Sequence, residues 1–164
     1  MPQTISILRI VEDTIVDGPG LRTSIYAAGC PHHCQGCHNP ESWNIGNGTE
    51  TDIDDILDTI RDADFSNVTF TGGDPFFQAE SFSELAKKIK EETGKTIWCY
   101  TGYTFEEIIG NSKLFRLLKY IDVLVDGPFE LSLRDTSLRF RGSSNQRIID
   151  VTRSLQSNSI VQLV

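Results

Sequence analysis

The sequence alternates short apolar segments with longer segments of helical periodicity, and this alternation constrains the fold more than any other feature. Apolar residues recur at i, i+3, i+4 and i+7 from Ile53, from Phe82 and from Leu114, with a short start near Phe105, which predicts amphipathic helices. Strand-like apolar runs flank these segments at residues 5–11, 22–28, 67–70, 96–100, 122–126 and 159–164.

Two pairs of residues are typical of helix starts. Ser81 with Glu84, and Thr104 with Glu107, match the capping box, in which a hydroxyl and a carboxylate bond the free amides of the first helical turn. We therefore expect helices to begin just after Ser81 and Thr104.

Alternating strands and helices predict βαβ units and a mainly parallel sheet. A closed eight-unit barrel needs about 250 residues, whereas this chain has 164. No repeat, low-complexity segment or linker interrupts the pattern. We therefore expect one α/β domain over residues 1–164, built as an open or partial (βα) barrel.

Charge and hydropathy exclude several classes of protein. The formal net charge of −8 argues against a general nucleic-acid binder, whose surface would be basic. No apolar run approaches the roughly 20 residues that cross a bilayer, and residues 1–13 lack the pattern of a secretory signal. We expect a cytoplasmic protein with reduced thiols and with neither a nucleic acid nor a membrane as partner.

Segments rich in cysteine, glycine and polar residues follow four of the predicted strands. A cysteine-containing loop follows residues 22–28, and T-G-G-D-P (71–75), T-G-Y (101–103) and D-G-P (126–128) follow the later strands. Because the carboxyl ends of parallel strands meet at one edge of a sheet, we expect these loops to converge there and to bind a ligand.

The cysteine loop carries the strongest chemical signal. Cys30, Cys34 and Cys37 form C-x-x-x-C-x-x-C, and three thiolates so close together suit an iron–sulfur cluster that keeps one position free of cysteine. A zinc site of four ligands remains open, because the loop also supplies His32, His33 and His38. A redox dithiol would use Cys34 and Cys37 and would leave Cys30 unexplained.

These motifs together resemble a known family. The triple-cysteine loop followed by G-G-D-P is similar to the radical S-adenosylmethionine (SAM) superfamily, and V-D-G-P-G-L-R (16–22) with C-H-N-P-E-S-W (37–43) is similar to its glycyl-radical activating enzymes. The short length, D-G-P-F-E (126–130) and R-F-R-G-S-S-N-Q-R-I-I-D (139–150) resemble the subgroup that activates anaerobic class III ribonucleotide reductases. The resemblance implies a shortened radical SAM core and an oxidoreductase.

The chemistry that the resemblance implies needs two cofactors. Cys30, Cys34 and Cys37 would hold one 4Fe–4S cluster per chain, and SAM would bind its fourth iron. One-electron reduction would cleave SAM to methionine and a 5′-deoxyadenosyl radical, which would take a hydrogen atom from a glycine of the large reductase subunit. The electron would come from a donor such as flavodoxin. A different glycyl-radical enzyme, such as pyruvate formate-lyase, is the alternative partner, and a zinc-stabilised binding module without catalysis is the alternative class.

The resemblance also implies which residues bind SAM. Backbone carbonyls of Gly72 and Gly73, with Asp74, would meet the amino group of its methionine part, where the absence of a Cβ permits close approach. Residues beside the last cysteine would lie against the adenine. The remaining candidates follow later strands, and the complete set of predicted cofactor-binding residues is Gly36, Cys37, His38, Asn39, Gly72, Gly73, Asp74, Thr101, Asp126, Arg141, Ser144 and Asn145.

The chain departs from its apparent relatives at two positions. Gly36 stands where the superfamily usually has an aromatic residue, so stacking on adenine is absent there. Pro128 stands where activases of pyruvate formate-lyase have a lysine, so no lysine contact to SAM carries over. Arg141, Ser144 and Asn145 are candidates to replace it, since a guanidinium pairs well with a carboxylate; a structural role or a partner-docking role for them stays open.

Overall fold

The computed structural model describes residues 3–163, and its centre is a seven-stranded mixed sheet. The strands occur in the spatial order β3–β1–β2–β4–β5–β6–β7. Their bounds are β1 Thr4–Thr14, β2 Arg22–Ala27, β3 Thr49–Asp52, β4 Asn67–Gly72, β5 Ile97–Tyr100, β6 Val123–Asp126 and β7 Arg147–Asp150.

Parallel pairing is confined to the middle of this sheet. Strands β2, β4, β5 and β6 pair in parallel, whereas β1, β3 and β7 pair antiparallel at the two edges. The predicted α/β class is therefore confirmed, and the sheet is mixed because antiparallel strands extend a parallel centre. Curvature into a partial barrel stays a prediction.

Five α-helices connect or flank the strands within residues 3–163. They are α1 Ile53–Asp62, α2 Ala79–Glu92, α3 Phe105–Ile109, α4 Ser112–Leu118 and α5 Val151–Ser157. Short 3-10 turns lie at Pro40–Trp43, Ile45–Asn47, Pro75–Gln78 and Leu131–Leu133. Apart from α5, these helices correspond to the periodic segments of the sequence.

The two predicted helix starts have different outcomes. Thr104 caps α3, and both hydrogen bonds of the capping box with Glu107 are present, so that prediction is confirmed. The prediction at Ser81 is wrong, because α2 already begins at Ala79. The 3-10 turn from Pro75 leads directly into the helix, and Asp74 accepts a hydrogen bond from the Phe76 amide at its start.

The carboxyl-terminal strand prediction is also wrong within the described residues. Between 159 and 163 the chain forms one isolated bridge, from Gln162 to Ile149, and Val164 lies outside the described residues. The chain end runs beside β7, where the Asp150 amide donates to the Val161 carbonyl and the Leu163 amide donates to the Ile148 carbonyl. The Ser154 hydroxyl also accepts a hydrogen bond from the Val161 amide.

Helices cover one face of the sheet and loops cover the other. Side chains alternate between the two faces along each strand, so Phe70 and Cys99 belong to the main core beneath the helices. Trp98 and Val125 lie in a smaller cluster on the opposite face. In residues 3–163, no helix combines the length and the apolar character that a membrane span requires.

Candidate functional site: a cysteine-lined cavity

A cavity of about 220 Å³ lies at the carboxyl edge of the parallel strands. The loops that follow β2, β4, β5 and β6 all contribute to its wall, as the sequence predicts. The lining residues are Cys30, His32, Cys34, Cys37, His38, Asn39, Ser42, Thr71, Gly72, Gly73, Tyr100, Thr101, Gly102, Gly127, Phe129, Gly142 and Gln146.

Backbone hydrogen bonds hold the cysteine loop at the mouth of this cavity. The Gly29 amide donates to the Ser42 carbonyl at 2.7 Å, and the Cys30 amide donates to the Trp43 carbonyl at 3.2 Å. The Cys37 amide donates to the Cys34 carbonyl at 3.1 Å, which closes a turn between the last two cysteines. The 3-10 turn at Pro40–Trp43 thus returns against the start of the loop and fixes its base.

The three loop cysteines are free and partly exposed. Burial raises the pKa of the Cys30 thiol to about 11 and also raises the pKa of Cys34. A bound cation opposes this effect, because it favours the thiolate that ligates it. Three soft donors on one loop facing a cavity fit the ligand set of an iron–sulfur cluster.

The histidines of the loop already have protein partners. The His32 Nε2 lies 2.6 Å from the Asp74 Oδ2, and the His33 ring stacks on Trp43 with centroids 4.7 Å apart. The His38 ring lies 5.7 Å from that of Phe129. Within residues 3–163, no three His, Cys, Asp or Glu side chains are grouped as ligands of a single metal ion.

Gly72 and Gly73 pack directly against the strand and loop that carry the cysteines. Gly72 has a φ of +94°, and a Cβ there would lie 2.5 Å from the Ala27 amide nitrogen. A Cβ on Gly73 would lie 2.4 Å from the Gly29 carbonyl oxygen. Both positions therefore require glycine, and both residues line the cavity.

Asp74 lies behind the cavity wall. The residue is fully buried, and it does not line the cavity. Its carboxylate accepts hydrogen bonds from the Phe76 amide, from the Thr101 hydroxyl and from the Gly102 amide, in addition to its contact with His32. The residue thus joins three of the loops that form the cavity.

Half of the predicted cofactor-binding residues line the cavity. They are Cys37, His38, Asn39, Gly72, Gly73 and Thr101. The other half lie outside the lining and are Gly36, Asp74, Asp126, Arg141, Ser144 and Asn145.

Those outside the lining bond to other parts of the protein. Asp126 is 1% exposed and accepts hydrogen bonds from Arg147 and from the Phe105 amide. The Arg141 Nη1 donates to the Gln146 carbonyl at 3.0 Å, and the Asn145 Nδ2 donates to the Pro128 carbonyl at 2.8 Å.

The last two predicted cofactor-binding residues that do not line the cavity are Ser144 and Gly36. Ser144 is exposed, and its amide donates to the Leu133 carbonyl. A Cβ on Gly36 would lie 2.9 Å from the Leu131 side chain, so the absence of an aromatic residue leaves room for a neighbouring loop.

Several lining residues were missed by reasoning from the sequence. Tyr100 ends β5 beside the predicted Thr101, and burial raises the pKa of its hydroxyl. Gln146 directly follows the predicted Asn145, and Phe129 lies three residues after the predicted Asp126 in the motif D-G-P-F-E. Their membership of these motifs was the available signal.

Comparison with known proteins places the chain in a class. The family model described as a 4Fe–4S single cluster domain matches residues 16–149, a range that includes the cysteine loop and every loop of the cavity wall. The chain is therefore a member of the 4Fe–4S single cluster domain family, and Cys30, Cys34 and Cys37 lie within the matched range and line the cavity.

Curated relatives narrow the class further. The anaerobic ribonucleoside-triphosphate reductase-activating protein of Enterobacteria phage T4 is 38% identical over 146 residues, which cover 85% of this chain and 90% of the phage protein. The proteins of the same name from Escherichia coli K12 and Vibrio cholerae are each 37% identical, over 80% and 82% of this chain and 90% of their own length. The chain belongs to the family of anaerobic ribonucleoside-triphosphate reductase-activating proteins.

Proposed function

We propose that this chain is a radical SAM oxidoreductase that activates an anaerobic ribonucleoside-triphosphate reductase. The observation that carries the proposal is the cavity wall, which Cys30, Cys34 and Cys37 line together with Gly72 and Gly73. The family membership adds the kind of cluster and the kind of partner. We further propose that residues 1–164 act as one domain in the cytoplasm, where free thiols stay reduced.

In this proposal Cys30, Cys34 and Cys37 hold one 4Fe–4S cluster and leave its fourth iron for SAM. When bound, the cluster would supply the one-electron reduction that cleaves SAM to methionine and a 5′-deoxyadenosyl radical, and this radical would remove a hydrogen atom from a glycine of the partner. The protein supplies position and a partly closed cavity, while the cofactors supply the reactive groups. The electron comes from an external donor such as flavodoxin.

The cavity wall divides the binding of SAM among backbone and side-chain groups. Carbonyl oxygens of Gly72 and Gly73 accept from the methionine amino group, which these residues can approach closely because they lack a Cβ. Backbone groups of His38 and Asn39 lie beside the last cysteine and contact the adenine. Thr101 also lines the cavity.

The predicted residues outside the lining support the wall in this proposal. Asp126 fixes the start of α3 and the Arg147 side chain. Arg141 and Asn145 tie their loop to neighbouring carbonyls, and the loop reaches the cavity through Gln146. Gly36 leaves room for the Leu131 side chain, and Ser144 is tied to the Leu133 carbonyl through its amide.

The open side of the cavity accepts the glycine-bearing loop of the large reductase subunit. Phe129 lines the cavity and remains partly exposed, and the nearby Leu131 is 44% exposed. Exposed apolar side chains beside a catalytic cavity suit a protein partner. Hydrogen exchange in the assembled complex should slow around Phe129 and the cysteine loop; unchanged exchange at both would contradict this docking site.

The proposed reaction is tested by anaerobic reconstitution with iron and sulfide, followed by reduction in the presence of SAM. We expect about four irons per chain and formation of 5′-deoxyadenosine. The Cys34→Ala variant should lose product formation and keep its fold, because Cys34 is partly exposed and lies outside the hydrophobic core.

The matched control is Cys99→Ala, since Cys99 is buried in β5 away from the cavity. This variant should keep the reaction. Full product formation by Cys34→Ala, or near-stoichiometric zinc without iron or sulfide in the wild type, would overturn the proposal. Replacing the reductase by pyruvate formate-lyase in the same assay identifies which partner receives the radical.

A further inference from the structure

The buried carboxylate of Asp74 has no free acceptor position. An ionised carboxylate offers about four lone-pair sites. Four groups already approach them: the amides of Phe76 and Gly102 at 2.9 and 3.0 Å, the Thr101 hydroxyl at 2.9 Å and the His32 Nε2 at 2.6 Å. An additional ammonium group from a ligand would have to displace one of them.

The fourth of these groups belongs to the cysteine loop. Because a carboxylate only accepts, this contact requires the His32 tautomer that carries its proton on Nε2 and donates it to Asp74. A hydrogen bond to a charged group is stronger than one between neutral groups. It is therefore a strong side-chain contact between the cysteine loop and the loop after β4.

The surroundings of His32 are shaped to keep its ring in this position. A Cβ on Gly102 would lie 2.4 Å from the ring, so only glycine leaves space for it. The ring of Tyr103 meets the imidazole edge-to-face with centroids 4.6 Å apart. The His32 side chain is 16% exposed and that of Asp74 is 1% exposed, so solvent competes weakly for the bond.

We propose that His32 and Asp74 form a latch that holds the cysteine loop against the carboxyl edge of the sheet. Asp74 is then a positioning residue, and the methionine amino group of SAM is met by the backbone carbonyls of Gly72 and Gly73 without a side-chain carboxylate. The part of this inference that concerns SAM depends on the proposed function. The part that concerns the loop does not.

The loop is tested by hydrogen exchange in the metal-free full-length chain. In His32→Ala, amides of residues 29–37 should exchange roughly 10- to 100-fold faster than in the wild type, the factor that corresponds to loss of one hydrogen bond to a charged group. His32→Gln keeps an N–H near the Nε2 position and should restore slow exchange. Because the measurement needs no cofactor, it stands whatever the reaction proves to be.

Asp122→Asn is the matched control for this comparison. Asp122 is a hydrogen-bonded carboxylate as well, but it is only partly buried, has two partners, Lys90 and the Ile97 amide, and lies at the opposite edge of the sheet. Its replacement should leave exchange in residues 29–37 unchanged. Wild-type exchange in His32→Ala, failure of His32→Gln to restore protection, or an equal effect of Asp122→Asn would each overturn the latch.

SAM binding to Asp74→Asn separates a positioning residue from a direct ligand. When affinity is measured per bound cluster, the latch predicts a dissociation constant within about threefold of the wild type, together with a lower cluster content. A dissociation constant raised by about tenfold or more, the loss expected for a direct charge-assisted contact, would show that Asp74 binds SAM itself. If Asp74→Asn does not fold, the His32 variants still decide the latch.

Discussion

Replacement of Gly73 by alanine tests how the glycine loop and the cysteine loop fit together. The added Cβ would lie 2.4 Å from the Gly29 carbonyl oxygen and 2.9 Å from the Ser42 carbonyl oxygen. Both obstacles are backbone atoms, and Gly29 is itself held by hydrogen bonds to the Ser42 carbonyl and from the Asp74 amide. The methyl group can therefore be accommodated only if the base of the cysteine loop moves.

The cost of this change follows from the kind of clash. Overpacking by one methyl group costs about 1–3 kcal/mol, and we expect the upper end because no flexible side chain can yield. For a chain of this size, a loss of about 3 kcal/mol lowers the melting temperature by roughly 6–12 °C. Thermal unfolding of the metal-free protein, followed by circular dichroism, measures this shift, and iron content after reconstitution should fall with it.

Two further glycines separate steric clash from backbone strain. Gly110 has a φ of −76° and its nearest contact would be 3.5 Å away, so Gly110→Ala should be neutral or should stabilise by about 0.4–1 kcal/mol. Gly94 has a φ of +68° and no atom within 4 Å, so Gly94→Ala should cost only the strain of about 1–2 kcal/mol. A Gly73→Ala protein that melts like the Gly110→Ala protein and loads iron normally would refute the reasoning.

Three other predictions concern the scaffold. Arg147 lowers the pKa of Glu106 by a side-chain hydrogen bond. The ionised Glu106 therefore stabilises the fold above its usual pKa, and this contribution is lost as the pH falls through the lowered pKa. In urea titrations, the difference in unfolding free energy between wild type and Arg147→Met should narrow below about pH 4, and a difference that stays constant would contradict this. Thr104→Ala removes a complete capping box and should cost about 1 kcal/mol in the same assay, with no loss if the cap is dispensable. Phe70→Ala empties a fully buried position against the ring of Phe82 and should cost about 3–5 kcal/mol, and a cost below about 1 kcal/mol would mean that the core collapses around the gap.

Strongly periodic elements were predictable from the sequence, and polar ones were not. The helix α1 has Ile53, Ile56 and Ile60 on one buried face, so its pattern is visible without a structure. By contrast, β3 consists of Thr49–Asp52, and it is held by backbone pairing with β1. A strand without apolar alternation gives no periodic signal.

The same contrast applies to the cavity. The three cysteines and the glycine pair could be found because short motifs carry their chemistry and strand order brings them to one edge. The surroundings of Asp74 could not be found, because its partners His32 and Thr101 lie 42 and 27 residues away in the chain. Contacts at such separations are set by tertiary structure, and the spacing of residues does not encode them.

The central proposal is that this chain forms a glycyl radical on its partner, by way of SAM and a cluster held by three cysteines. Electron paramagnetic resonance of the large reductase subunit tests it most directly, after anaerobic incubation with the reconstituted chain, SAM and a reductant. The account predicts a glycyl-radical signal that depends on SAM and is lost with Cys34→Ala and retained with Cys99→Ala. A signal of equal size with Cys34→Ala, or none with a fully loaded wild-type chain, would contradict it.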